Sequence, residues 1–247
     1  MWKFAILPVF LAVFGIGGIW TVFAVSVING SVNLTKGMPY ISECAGHPPQ
    51  SCLFAQTCNI LSVLITCVVV IRFQQAKDFG YEGRANVAGL WMGSISAVGL
   101  SLTSNIQASV SLEIHCFGAV VAFVPGLAYF WVQMYLTYKA QPSVDRPWVG
   151  PIRFILCVLC SAFLGSMSVN CVHVLFLDFS FPVCFFNLWY ESAGATSEWL
   201  AVVVFFLLFG LFAAEFRHVD YCRLTVQRPA LESDCCAGSV ETNSCAI

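Results

Sequence analysis

Charged side chains are scarce in this sequence of 247 residues: they make up 10% of it, whereas hydrophobic residues make up 59%. A soluble domain carries roughly 25% charged residues. The chain therefore has too few charges to cover a surface that faces water, which excludes an ordinary soluble globular protein. The 11 lysines and arginines form no basic patch, which excludes nucleic acid as a partner.

Motifs that carry catalysis are also missing. The sequence has no glycine-rich phosphate loop, no serine in a nucleophile elbow and no paired carboxylates inside its apolar segments. We therefore predict a protein that is not an enzyme and that binds no cofactor or metal.

Six long apolar stretches are present, each near the ~20 residues that cross a bilayer core as a helix. They lie at about residues 4–28, 52–71, 85–106, 114–138, 154–177 and 197–214. Transmembrane β-strands would be about half as long and would alternate polar with apolar residues. The first stretch exceeds the ~7–15 apolar residues of a signal-peptide core, so we interpret it as an uncleaved anchor. The prediction is an all-α, polytopic membrane protein with a six-helix domain over residues 1–218.

The distribution of lysine and arginine predicts the orientation, since six spans place both termini on the same side. If that side is the cytosol, ten of the 11 basic residues fall inside and only Lys36 falls outside. Two glycosylation sequons, which begin at Asn29 and Asn33, lie in the same outer loop as Lys36. We therefore predict cytosolic termini. Asn33 is the better acceptor, because Asn29 is too close to the membrane.

The 13 cysteines fall into different redox environments according to their position. Cys44 and Cys52 lie in the oxidising outer loop, and two prolines between them fold the segment back. A disulfide between these two cysteines is therefore predicted. Cys184, in the third outer loop, is an alternative partner for either one.

The predicted cytosolic tail, residues 219–247, carries further cysteines. Cys222 is a candidate for palmitoylation because it is close to the membrane. The adjacent pair Cys235 and Cys236 is a second candidate. The tail lacks any hydrophobic periodicity, so we predict that it is disordered.

Two of the predicted spans carry small residues at every fourth position. The row in the third span is Gly89, Gly93, Ala97, Ser101 and Asn105. The row in the fourth span is Gly118, Ala122 and Gly126. Small residues let membrane helices approach closely. Because a short outer loop joins these two spans, we expect them to pack tightly against each other.

Polar side chains near the outer ends of the spans give a site hypothesis. Glu113 and His115 lie at the mouth of the fourth span. Two interpretations stay open: a pH-sensitive cluster with His173, or ordinary residues of the membrane interface. Asn59 lies two turns into its span, where a hydrogen bond between helices is the simplest role.

The inner end of the sixth span carries charges of both signs, Glu215 and Arg217. We expect this segment to be an anchor at the membrane surface. Arg217 would meet anionic lipid headgroups, and Glu215 would pair locally.

One group of motifs lies in and beside the first outer loop. Its residues are Pro39, Tyr40, Ile41, Ser42, Pro48, Pro49, Ser51, Cys52 and Asn59. Further motif residues are Arg72-Phe73, Asn105-Ile106-Gln107, His115 and Glu215-Phe216-Arg217. Together these motifs resemble the damage-regulated autophagy modulator family, which includes the transmembrane protein 150 group and the Frag1/Sfk1 grouping. The start of the chain looks most like the B branch of the transmembrane protein 150 group.

The resemblance implies a six-helix protein of the plasma membrane, endosomes, lysosomes and autophagosomes. It further implies a link to macroautophagy and to cell survival under stress, but no molecular step and no oligomeric state. We interpret the chain as a regulatory, non-catalytic scaffold in the lipid bilayer. Its candidate partners on the cytosolic face are autophagy machinery or phosphoinositide-kinase machinery.

Two other functions are weighed against the scaffold. The first is a channel or a modulator of mechanosensitive currents, although a conduction path should show a polar stripe and only scattered polar sites are found. The second is a lipid-remodelling membrane enzyme. Its acid–base set would be Glu113, His115 and His173.

Overall fold

The computed structural model describes residues 3–139, 145–177 and 184–219, without the side chains of residue 36 and residues 171–191. Nearly all of the predicted tail therefore lies outside the described residues. So do the palmitoylation candidates Cys222, Cys235 and Cys236, and so do the side chains of Cys184 and His173. The predictions made for them stay predictions.

The described ranges form α-helices and one 3-10 turn, Leu34–Lys36, and contain no strand. The helices are α1 (Ile6–Ile28), α2 (Ile41–Cys44), α3 (Gln50–Asp78), α4 (Arg84–Asn105), α5 (Leu112–Lys139), α6 (Arg146–Leu177), α7 (Cys184–Gly210) and α8 (Phe212–Phe216). Six segments are long and apolar enough to cross a membrane: α1, α3, α4, α5, the start of α6 as far as Asn170, and Ser192–Phe216 of α7 and α8. The prediction of an all-α protein with six membrane helices is confirmed.

Several membrane helices are longer than the apolar stretches that identified them. α3 continues past residue 71 to Asp78, and α6 begins before residue 154, at Arg146. Apolar composition locates only the part of a helix inside the hydrocarbon, whereas helical hydrogen bonding continues into the interface. α3 ends beside Gly80, whose φ of 77° suits the left-handed residue that commonly terminates a helix.

The six membrane helices form a closed ring. They pack in the order α1, α3, α4, α5, α6 and α7, and α7 packs back against α1. Aromatic side chains fill the middle of this ring. The Phe130 ring of α5 lies 4.8 Å from that of Phe209 and 5.0 Å from that of Phe205, both on α7, and all three are buried. The centre of the bundle at this level is a packed core.

The predicted tight contact between α4 and α5 is confirmed. A Cβ atom on Gly99 would lie 2.3 Å from the backbone nitrogen of Ala122, and one on Gly118 would lie 2.8 Å from the nitrogen of Thr103. The Ser96 hydroxyl donates to the Ala122 carbonyl at 2.6 Å, which ties the two backbones together. Only glycine permits this separation at the crossing point.

The row of small residues predicted on α4 meets α5 only at its start, where a Cβ atom on Gly89 would lie 3.2 Å from Gln133 Nε2. Its last member, Asn105, donates instead to Asn59 of α3 at 2.9 Å, which confirms the interhelical role expected of Asn59. Four residues turn a helix by about 400°, so a row with that spacing rotates by about 40° at each step and leaves its first neighbour. Further along α4, the contact with α5 is made by Ser96, Gly99 and Thr103.

Candidate functional site

A cluster of buried charges lies at the end of the bundle that is predicted to face the cytosol. Arg72 of α3 and Arg153 of α6 both bind the carboxylate of Glu215 in α8. Arg72 Nη2 lies 3.0 Å from Oε1, and Arg153 Nη2 lies 2.6 Å from Oε2. The exposed fractions of the three residues are 3%, 0% and 8% in that order. These three side chains, called the inner cluster below, join helices that are far apart in the sequence.

Amide and hydroxyl side chains surround the inner cluster and orient its guanidinium groups. Arg72 donates from Nε to Gln133 Oε1 at 3.0 Å and from Nη1 to Gln75 Oε1 at 2.7 Å. Gln75 in turn donates from Nε2 to the backbone carbonyl of Glu215 at 2.8 Å. Arg153 donates to the Thr137 hydroxyl. Buried charges survive only with such partners, because removal from water costs several kcal/mol per ion.

The inner cluster holds two guanidinium groups against one carboxylate and so carries one excess positive charge. The Phe212 ring lies beside both cations, with its centroid 4.7 Å from Arg153 Cζ and 5.9 Å from Arg72 Cζ. The negative face of an aromatic ring attracts cations at these distances. Arg153 Nε is buried and has no hydrogen-bond partner within the described parts of the chain.

The segment after α8 is held by a second ion pair. Asp145, just before α6, binds Arg217, and its Oδ2 lies 2.9 Å from His218 Nε2. Trp148 Nε1 also donates to Asp145, at 3.2 Å from Oδ1. The expectation that Glu215 pairs locally is therefore wrong. Its partners come from other helices. The segment after α8 binds the residue just before α6 rather than only the lipid surface.

At the opposite end, the first outer loop is fastened to α7 through two residues of the family motif. The backbone amide of Ile41 donates to Glu198 Oε2 at 2.8 Å. The Pro39 carbonyl accepts from Trp199 Nε1 at 2.9 Å. Between them, the Tyr40 amide donates to Glu43 Oε2 at 3.0 Å and begins the short helix α2. The Pro39–Ser42 motif thus fixes the position of the loop over the bundle.

The second half of the loop motif forms the start of α3. A cis peptide bond joins Pro48 to Pro49, which lies just before the first residue of α3. Ser51 and its neighbour Gln50 are buried, and Gln50 Nε2 donates to the Ser31 hydroxyl at 2.8 Å. These contacts connect the beginning of the loop to its end.

Comparison with known proteins decides the family. The family model described as the Frag1/DRAM/Sfk1/Cwh43P N-terminal domain matches residues 3–219. The chain belongs to this family. Its resemblance to the family, expected from the loop motifs, is thereby confirmed. No solved structure matches the chain.

Several relatives of this Frag1/DRAM/Sfk1 protein are similar over most of its length. A Danio rerio protein named Modulator of macroautophagy TMEM150B is 49% identical over 94% of both chains. The Homo sapiens protein of the same name is 38% identical over 92% of both chains. Transmembrane protein 150A of Xenopus laevis is 28% identical over 97% of this chain and 94% of its own. The similarity to the B branch of the transmembrane protein 150 group is confirmed.

The predicted disulfide between Cys44 and Cys52 is not formed in the structure, where both thiols are free. Cys44 is buried at the end of α2, whereas Cys52 is exposed in the first turn of α3. The two thiols therefore lie in different environments, one buried and one exposed. Burial raises the pKa of the Cys44 thiol to about 11, so this thiol is protonated at neutral pH.

The predicted polar cluster at the mouth of α5 is only partly described. Glu113 is exposed, whereas His115 turns inward, and its Nδ1 lies 2.8 Å from the Ile106 carbonyl. The Thr103 hydroxyl donates to the backbone carbonyl of His115 at 3.1 Å. The side chain of His173 lies outside the described residues, so the cluster stays a prediction.

Sequence reasoning missed two residues that hold the outer loop, Glu198 and Trp199. The available signal was the acidic residue itself, because Glu198 lies inside the predicted sixth span at 197–214. An ionisable residue within an apolar membrane segment is a site candidate by default. Arg72 was noticed as a motif residue and Arg153 only as one of the basic residues that set the orientation. Nothing local in the sequence shows that both bind Glu215.

Proposed function

We propose that this Frag1/DRAM/Sfk1 protein modulates macroautophagy and cell survival under stress as a non-catalytic scaffold in the membrane. The observation that carries the proposal is the extent of its similarity to relatives named Modulator of macroautophagy TMEM150B. In the Danio rerio and Homo sapiens relatives this similarity covers 94% and 92% of both chains. The whole membrane domain is therefore shared with proteins of that name, not a single module.

The distribution of polar groups supports a scaffold. At the inner end, Arg72, Arg153 and Glu215 bind one another. At the outer end, Glu198 holds the loop. Groups engaged in this way position helices and loops, and they stabilise two surfaces on which partners can assemble. The candidate partners on the cytosolic surface are autophagy machinery or phosphoinositide-kinase machinery.

The same distribution argues against a pore through the described part of the bundle. Between the inner cluster and Glu198 lies the aromatic core that contains Phe130, Phe205 and Phe209. An ion crossing this region would lose its hydration without meeting polar groups in exchange. The scaffold is therefore preferred to the channel.

The protein is a multi-pass membrane protein, and we place it in the plasma membrane and in endosomal, lysosomal and autophagosomal membranes. Autophagic flux in starved cells that lack the protein, with and without its re-expression, tests the proposed role. We expect re-expression to change the turnover of a lipidated autophagosome marker, measured with and without a lysosomal inhibitor. Purified protein in planar bilayers should give no unitary currents. Unchanged flux together with reproducible currents would favour the channel instead.

Glycosylation tests the predicted orientation. Asn33 is exposed in the first loop, whereas Asn29 directly follows the last residue of α1 and donates to Gln50 Oε1 at 3.4 Å. We expect an N-glycosidase to reduce the apparent mass of the wild-type protein. Asn33→Gln should abolish this reduction, and Asn29→Gln, the matched control, should preserve it. If an otherwise stable wild-type protein carries no glycan and an epitope in this loop is reached only from the cytosol, the orientation is reversed.

A further inference from the structure

A cavity of about 60 Å³ lies inside the half of the bundle beneath the first outer loop. Its wall is formed by α1, α3, α4, α5 and α7, and Ile41 and Ser42 of α2 cover it. None of its described lining residues belongs to α6. A void of this size has room for roughly four to six water molecules, or for part of a slender ligand.

The cavity is polar at one end and apolar along its length. Glu198 and His115 lie at the outer end, on α7 and α5, which face each other across the space. From there the wall continues for two turns of α7 to Phe205, about 10 Å along the helix. Ile65 and Phe123 are among the apolar residues on the other sides. The polarity of the wall thus decreases from the outer end towards the bilayer centre, as it does in the surrounding leaflet from headgroups to acyl chains.

Two of the polar residues at the outer end, Glu198 and His115, retain an unused hydrogen-bond acceptor. Glu198 Oε2 accepts from the Ile41 amide, but Oε1 meets no donor among the described residues. His115 Nδ1 lies 2.8 Å from the Ile106 carbonyl, which can only accept, so Nδ1 carries the proton. In the neutral ring the other nitrogen, Nε2, is then an acceptor.

We propose that this cavity binds the head and the first chain segment of a single-chain lipid whose head donates hydrogen bonds. Its head would be an amine or a hydroxyl that meets Glu198 and His115, and its chain would follow the apolar wall towards the bilayer centre. The remainder of the chain would lie in the surrounding bilayer. The inference goes beyond the proposed function and does not depend on it.

The chemistry of the lining excludes the common anionic lipids. Binding of a phosphate or carboxylate head requires cations or several convergent donors. None of the described lining residues is a lysine or arginine, and the acidic group at the site is the carboxyl of Glu198. The volume also excludes the two chains of an ordinary bilayer phospholipid.

Photo-crosslinking to the full-length protein in membranes tests the proposal. The probe is an alkyne-tagged long-chain amino alcohol with a photoreactive group in its chain. A monoacylglycerol and a fatty acid with the same chain are the other arms. We expect the amino alcohol or the monoacylglycerol to label peptides of α5 or α7, and the unlabelled lipid to compete. The better competitor shows whether the head is an amine or a hydroxyl.

Two variants locate the binding. Glu198→Gln replaces the carboxyl group with an amide, and Ala119→Phe fills the cavity from α5 while Glu198 and the residues of the loop keep their identities. Each should reduce labelling about tenfold, the loss expected for a hydrogen bond to a charged group or for a blocked site. Val120→Phe adds the same ring at an exposed position on α5 and should label like the wild type.

Several results would overturn the proposal. Equal labelling by the fatty-acid probe would show that the head is not recognised. Labelling that Ala119→Phe leaves unchanged, while the variant elutes as a folded protein, would place the lipid outside the cavity. Absence of saturable labelling by all three probes would mean that the void holds only water.

Discussion

Replacing Glu215 with glutamine should lower the apparent melting temperature of the detergent-solubilised protein by about 10 °C. The variant keeps the shape of the side chain but leaves the guanidinium groups of Arg72 and Arg153 buried with no anion between them. Breaking a buried ion pair by removing one partner costs roughly 3–5 kcal/mol. The glutamine amide would also direct a donor towards one of the arginine donors. Fluorescence-detected size-exclusion chromatography after heating measures the change.

Because the inner cluster carries one excess positive charge, we expect the loss of one arginine to cost less stability than the loss of the carboxylate. Arg153→Met leaves one arginine and one carboxylate, so it should cost less stability than Glu215→Gln. Thr137, which accepts from Arg153, still donates to the Gln133 carbonyl at 2.7 Å and is not left without a partner. The double variant Arg153→Met/Glu215→Gln should lose less stability than the two single variants lose together. We expect a difference of about 0.5–3 kcal/mol, because the double variant buries one unpaired arginine rather than two.

An exposed ion pair provides the matched control for these changes. Glu82 lies 4.0 Å from Lys77, with 76% of its side chain exposed. Glu82→Gln should leave the melting temperature unchanged, because exposed ion pairs contribute little. If Glu215→Gln melts like Glu82→Gln, the inner cluster does not hold the helices together, and the account of this end of the bundle is wrong.

Adding a single methyl group to Gly99 should separate α4 from α5. The new Cβ in Gly99→Ala would lie 2.3 Å from the Ala122 nitrogen and 2.5 Å from the Val121 carbonyl carbon. Both atoms belong to the backbone, so no side-chain rotation can relieve the contact. Overpacking of this kind costs about 1–3 kcal/mol, and we expect the upper part of this range. The expected result is a lower melting temperature and less monodisperse protein.

Gly165 on α6 offers a control with the same chemical change. Apart from its chain neighbours and the nearby backbone of α6 itself, no atom of the described residues lies within 4 Å of a Cβ added there. Gly165→Ala should therefore be neutral or slightly stabilising, since alanine favours a helix over glycine by up to about 1 kcal/mol. Equal melting temperatures for the alanine variants at 99 and 165 would contradict the close approach of α4 and α5.

Much of the fold could be predicted from the sequence, and the errors have a common cause. The six spans are apparent from apolar length, and the small residues 118, 122 and 126 identify the side of α5 that meets its neighbour. The row on α4 was right only at its start, because its fourfold spacing was treated as one face, although it rotates from α5 to α3. The spacing of residues shows in which direction each side chain points around its own helix. It does not show which neighbouring helix lies in that direction at that depth of the membrane.

The residues of the candidate sites could be predicted from the sequence, but their partners could not. The loop motif around Pro39 was found from its residues, but its partners Glu198 and Trp199 were not, because they lie at the far end of the chain. The expected disulfide was inferred from closeness in the sequence. In the structure, Cys44 faces the core and Cys52 does not, because each belongs to a different helix.

The sequence by itself determined the class of this protein, its number of membrane spans and the family to which it belongs. These properties follow from segment length, composition and local motifs, which need no knowledge of neighbours. Only the tertiary structure decided that Arg72 and Arg153 share Glu215, that Glu198 holds the outer loop, and that a cavity lies beneath it. Each of these features joins helices remote in sequence, so it exists only once the ring of helices has closed.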